Sequence, residues 1–185
     1  MSETTSVPEV VAGPTEAQEL LSVLERNRRT FAWKTSGLDE AGLRATTAAS
    51  SMTLGGLIKH LALVEVDWIA VKLAGEEYGP PWDGIDSDAD PDWEWRTGAQ
   101  EPLGVVVALW REAVDRSRRI ESDIIVERGL DGPASFTWPN GKTPTVRAML
   151  LDMIEEYARH TGRADILREA VDGSVGESAP EDFTF

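Results

Sequence analysis

The chain has no cysteine. Disulfides, thiolate metal sites and a cysteine nucleophile are therefore excluded, and a reducing cytoplasm is the compartment the sequence predicts. Long apolar runs are missing too. None approaches the roughly eighteen residues that a membrane span requires, and the N-terminus shows no basic-then-apolar signal, so neither secretion nor membrane insertion is expected. Basic charge is scarce: eighteen Lys and Arg stand against thirty-three Asp and Glu, a net charge of −15. Such a surface repels phosphate backbones and anionic lipid, so nucleic acid is not an expected partner. Strand-like alternation and internal repeats are absent as well.

What remains is a chain of 185 residues, 41% hydrophobic and 28% charged, enough for one domain with a sizeable core. Its best-patterned stretch is Thr143 to Gly173. Thr143 reads as an N-cap, Pro144 as a first helical residue and Gly173 as the stop. Val146, Met149, Leu150, Met153, Ile154, Tyr157, Ala158, Ile166 and Leu167 recur at three- and four-residue steps, the stripe of a core-facing helix.

Three further helices precede it. Thr15 and Gln18 form a capping box, and Leu20, Leu21, Leu24, Phe31 and Trp33 mark a first helix ending near Ser36-Gly37. Arg26, Arg28, Arg29 and Lys34 read as its solvated side. After a short helix or turn at 38–47, Thr53 caps a second long helix, Leu54 to about Ala74, whose apolar set is Leu57, Ile58, Leu61, Val64, Trp68 and Val71. Pro102 opens a third, to about Arg128. Asn140-Gly141 signals a tight turn before the fourth. The reading is all-α, a four-helix bundle over 15–173, with a loose lead-in at 1–14 and an acidic tail at 174–185. A long connection, 75–100, joins helices two and three. It carries Trp82, Trp93 and Trp95, and residues 76–94 hold eight acids and no base. Its aromatics argue for a packed cover, either over a site or simply over one end of the core.

Asp152, Glu156 and His160 are spaced four apart, so their side chains share one face of the fourth helix. Glu156 and His160 could hold one metal ion as i, i+4 ligands, although such pairs are common on solvated faces. His60 borders the buried face of the second helix, where a lone histidine is more often a hydrogen-bonded core residue than a ligand.

The segments TLGGLIKHLALVEVDWI and RAMLLDMIEEYARHTGRADILREAVDG, read together, closely resemble actinobacterial members of the DinB/YfiT-like superfamily. EEYARHTGRADILRE is the most specific part. The resemblance implies a four-helix bundle with a metal held by one histidine from the second helix and an H-x-x-x-H pair from the fourth, and Glu156 stands here where most relatives have the first histidine of that pair. On this chain those positions are His60, Glu156 and His160, and the only two histidines fall on two of them. Closer relatives read HMIEEYARHNGHADLLRE, so Asp152 and Arg163 stand here in place of two histidines. Both become candidate substrate-binding residues; the positive charge of Arg163 could weaken metal binding or hold a substrate carboxylate. A His₂Glu set suits Zn, Ni and other divalent ions and leaves a position open for a thiol. The implied activity is a metal-dependent thiol S-transferase or isomerase acting on small electrophiles, with mycothiol as the thiol cosubstrate. The alternative is a non-catalytic small-molecule-binding or stress-related protein of the same fold with a degenerate metal site. A homodimer is the expected assembly.

Overall fold

A computed structural model describes residues 15–47, 50–86 and 88–185. The lead-in expected at 1–14 lies outside the described residues. The architecture is all-α. Four long elements build the bundle: α1 (Glu16–Thr35), α3 (Leu54–Val64) continued by a π-helical segment (Glu65–Ala74), α5 (Leu103–Arg128) and α6 (Val146–Asp172). Two short helices, α2 (Glu40–Arg44) and α4 (Trp93–Gly98), sit in the connections. α1 packs along α6, α3 along α5 and α4, and α3 also meets α6. Among the described residues no helix is long and apolar enough to cross a membrane.

The caps explain the boundaries. Thr15 accepts from Gln18 N and Thr53 from Gly56 N, so each hydroxyl satisfies an orphan donor of its first turn. Gly173 closes α6 in the left-handed conformation, φ 75°. The start of α6 differs from expectation. Thr145, not Thr143, is the N-cap, accepting from Ala148 N. The preceding residues are held extended because Pro144 O accepts from Ala134 N and Gly132 O accepts from Val146 N.

The buried faces also depart from the expected stripes in two places. In α6, Ile166 is 63% exposed and Ala158 is exposed, while His160, Thr161 and Ala164 turn inward. In the second long element the inward residues beyond Glu65 are Val66, Ile69, Ala70 and Leu73, and Trp68 and Val71 are only half-buried. Bonding from i to i+5 widens each turn there, so a 3.6-residue period misassigns the inward side.

The first helix carries the largest correction. Arg28 and Lys34 are not on a solvated side; they are buried. Arg28 follows Leu24 by four and precedes Phe31 by three, which places it on the core face. Its guanidinium bonds Glu65 at 2.8 Å through Nε and Nη2, and Glu121 at 3.1 and 2.7 Å. Relative exposures are 1% for Arg28, 0% for Glu65 and 2% for Glu121. Tyr157 Oη donates to Glu65 at 2.6 Å and accepts from Trp110 Nε1 at 2.9 Å. One cation thus faces two carboxylates in the core. Burial raises the Glu121 carboxyl above its usual range; Arg28 opposes the shift, and Glu65 and Glu25 add to it. The 174–185 tail lies against the bundle: Arg29 donates to the carbonyls of Pro180, Glu181 and Phe183, and Phe185 stacks on Trp110 at 5.5 Å.

Candidate metal centre

His60 comes from the middle of α3, Glu156 and His160 from adjacent turns of α6. His160 Nε2 lies 3.1 Å from Glu156 Oε2 and 3.1 Å from His60 Nε2, and His60 Nε2 lies 3.8 Å from Glu156 Oε2. The three are within 4.8 Å of one another and form the one His/Asp/Glu group among the described residues with metal-holding geometry. Four-coordinate zinc with nitrogen ligands at about 2.0–2.1 Å implies ligand–ligand edges of about 3.3 Å. Two observed edges are slightly short of that and the third is half an ångström long.

The protonation pattern bears on the fit. His60 Nδ1 faces Glu94 Oε1 at 3.4 Å. A carboxylate only accepts, so that nitrogen carries the hydrogen, and in the neutral ring Nε2 then presents its lone pair to the cluster. His160 is pushed down to about 3, by burial first and then by His60, Arg163 and Arg159, so it is neutral at ordinary pH. Its Nδ1 is buried without a partner. If that nitrogen bears the hydrogen, three acceptor atoms converge with no donor among them, which a divalent cation resolves. A proton on His160 Nε2 would bridge the same atoms, and that is the competing arrangement.

The acidic, Trp-containing connection supplies the site's roof. α4 places Trp95 flat on His60, ring centroids 4.3 Å apart at 21°, and aims Glu94 at the same imidazole. Burial raises the Glu94 carboxyl, but the bonds and charges of His60, its own backbone and Lys59 prevail and the net direction is down. Trp93 packs under Lys59 Nζ at 3.9 Å and meets Trp82 edge-on at 6.0 Å. Glycines allow this closeness. A Cβ on Gly55 would meet Gly98 O at 2.5 Å, and one on Gly98 would meet Gly55 O at 2.7 Å, so α3 and α4 touch backbone to backbone. Neither Glu94 nor Trp95 is singled out by spacing. The only signal is that one run of acids also holds three tryptophans.

The two other candidates stand beside the cluster, not in it. Asp152 is half-buried one turn before Glu156, and its carboxyl is raised by burial and by Glu155 and Glu156. Arg163 is exposed one turn beyond His160 and lines a depression with Met52, Ile166 and Leu167.

Among curated proteins, no relative matches the chain. A family comparison does. Residues 19–173, nearly the whole bundle and including every residue of the cluster, match the profile described as Mycothiol-S-transferase (MST). The chain belongs to the mycothiol S-transferase family and, with it, to the DinB/YfiT-like superfamily.

Proposed function

We propose that the protein is a divalent-metal-dependent S-transferase that joins a low-molecular-weight thiol, mycothiol by family, to a small electrophile. The observation that carries this is the convergence of His60 Nε2, His160 Nε2 and Glu156 Oε2 at one point. Two nitrogens and one carboxylate oxygen suit Zn²⁺ or Ni²⁺. A divalent ion held there would lower the pKa of a thiol and so supply a nucleophilic thiolate at neutral pH.

The chain's own side chains do the rest. Glu94 holds the His60 hydrogen on Nδ1 and so keeps Nε2 pointed at the cluster. Trp95 covers the imidazole face, limits water and fixes the ring's tilt. Neutral His160 avoids a competing positive charge. In the transfer the sulfur forms a bond to the electrophilic carbon, the leaving group departs with the bonding pair, and the thiol proton goes to water.

The test pairs elemental analysis with turnover. Protein supplied with Zn²⁺ or Ni²⁺ should hold about one ion per chain and conjugate mycothiol to monochlorobimane. His60→Ala and His160→Ala should lose both the ion and the conjugation. If both variants match the parent in both assays, the transferase reading fails. Metal-free protein that shows ligand-dependent melting shifts without turnover would favour a binding protein.

A further inference from the structure

α6 carries Arg163 at the rim of a depression of about 320 Å³, lined by Thr47, Ser50, Met52, Arg163, Ile166 and Leu167. We infer that this depression is the subsite for the electrophile, and that it takes an organic carboxylate, its anionic group on Arg163 and its apolar body against Met52, Ile166 and Leu167. The inference rests on the transferase reading above and names the class of its second substrate.

Charge is the first argument. Among the described residues no carboxylate lies within ion-pairing distance of Arg163, in a chain where acids far outnumber bases. Arg159, one turn earlier, is tied to Glu155 and Glu156. The uncommitted guanidinium on this stretch is therefore Arg163, and its planar fork matches a carboxylate. The second argument is the wall it shares. Ile166 is 63% exposed beside buried Leu167, an apolar surface the bundle itself leaves uncovered. The same lining includes the Thr47 and Ser50 hydroxyls, which can donate to an oxygen of an anion. The volume falls at the small end of ligand pockets.

Continuity with the centre is the third. Ser50 and Met52 also line a neighbouring cavity of about 530 Å³, whose wall includes Trp95, the ring stacked on His60. The two cavities share Ser50 and Met52, and a small molecule anchored at Arg163 lies one helical turn from His160. Asp152 lies on the opposite side of Glu156 in sequence and does not line either cavity.

The experiment measures equilibrium binding on the full chain, without added metal or thiol. The probes are 4-methylbenzoate and its neutral counterpart 4-methylbenzamide, followed by titration calorimetry or ligand-observed NMR. The parent should prefer the benzoate by about tenfold, the worth of one well-placed Arg–carboxylate pair. In Arg163→Gln that ratio should fall to about one, and Arg163→Lys should keep part of it. Ile166→Glu, an exposed substitution that places a like charge in the depression, should also abolish the preference, with circular dichroism verifying the fold. No preference in the parent, or one that survives Arg163→Gln, overturns the inference. The outcome is separable from that of the transferase reading: Arg163-dependent benzoate binding without any thiol transfer keeps the subsite and sinks the transferase. Transfer to 4-(bromomethyl)benzoate and 4-(bromomethyl)benzamide at one rate, untouched by Arg163→Gln, does the reverse.

Discussion

Arg28→Met removes the one cation facing Glu65 and Glu121 while keeping most of the side chain's volume. Both carboxylates are almost wholly enclosed, so water cannot replace the guanidinium. Two like charges at one buried site cannot both stay ionised, and the least costly response is for one to bind a proton. Against an ordinary glutamate pKa of about 4.3, holding that proton at pH 7 costs about 4 kcal/mol, within the range of about 3–5 kcal/mol expected when one partner of a buried pair is removed. The second carboxylate keeps the Tyr157 hydroxyl as donor. In the variant the folded state binds one proton more than the unfolded chain between about pH 5 and pH 8, so its stability falls as pH rises. The deficit should shrink on acidification towards pH 5, by at most about 1.4 kcal/mol per unit and by less where Glu121 of the parent itself takes up a proton. Urea unfolding followed by tryptophan fluorescence at several pH values measures it. Adding Glu121→Gln should recover at least half of the loss at pH 7. A deficit below about 1 kcal/mol at pH 7, or one equal at pH 5 and pH 7, would refute the electrostatic reasoning.

Glu121→Gln alone tests the parent protein. Glu121 titrates above its ordinary range, so its contribution is fully present below about pH 4 and is lost as pH rises through the folded pKa; the substitution should flatten that part of the stability profile. Tyr157→Phe leaves Trp110 Nε1 without its acceptor and removes one donor from Glu65, which keeps its two bonds from Arg28, and should cost about 1–3 kcal/mol by thermal or urea unfolding. Glu94→Leu frees the His60 tautomer and should weaken Co²⁺ or Zn²⁺ binding about tenfold, the modest end for such support because the contact is 3.4 Å and half-buried; unchanged affinity in a competition assay would remove Glu94 from the site. Gly98→Ala drives a methyl into Gly55 O and the Lys59 Cβ, and should cost about 1–3 kcal/mol while changing the emission of Trp95 as it leaves His60. An unaltered melting point and spectrum would show that the two helices do not need their glycines.

The four long helices, their order and most of their ends are legible in local patterns of residues. Thr15, Thr53, Gly75 and Gly173 act on backbone groups within a turn of themselves, so their roles are written in local order. The Glu156–His160 pairing is equally local, a matter of one helical turn. Spacing does not connect His60 to that pair across a hundred residues; the family resemblance does, and the packing of α3 on α6 brings the atoms to 3.1 Å. The remaining features arise from packing between helices. Arg28 and Lys34 look like surface charge because charge on a helix usually is solvated, and only the positions of Glu65, Glu121 and Asp165 on other elements reverse that. Glu94 is one acid among eight until Gly55 and Gly98 let two backbones touch. Each of these contacts depends on how one helix is rotated and set against another. That quantity comes from the whole core's packing, which no short window of sequence contains.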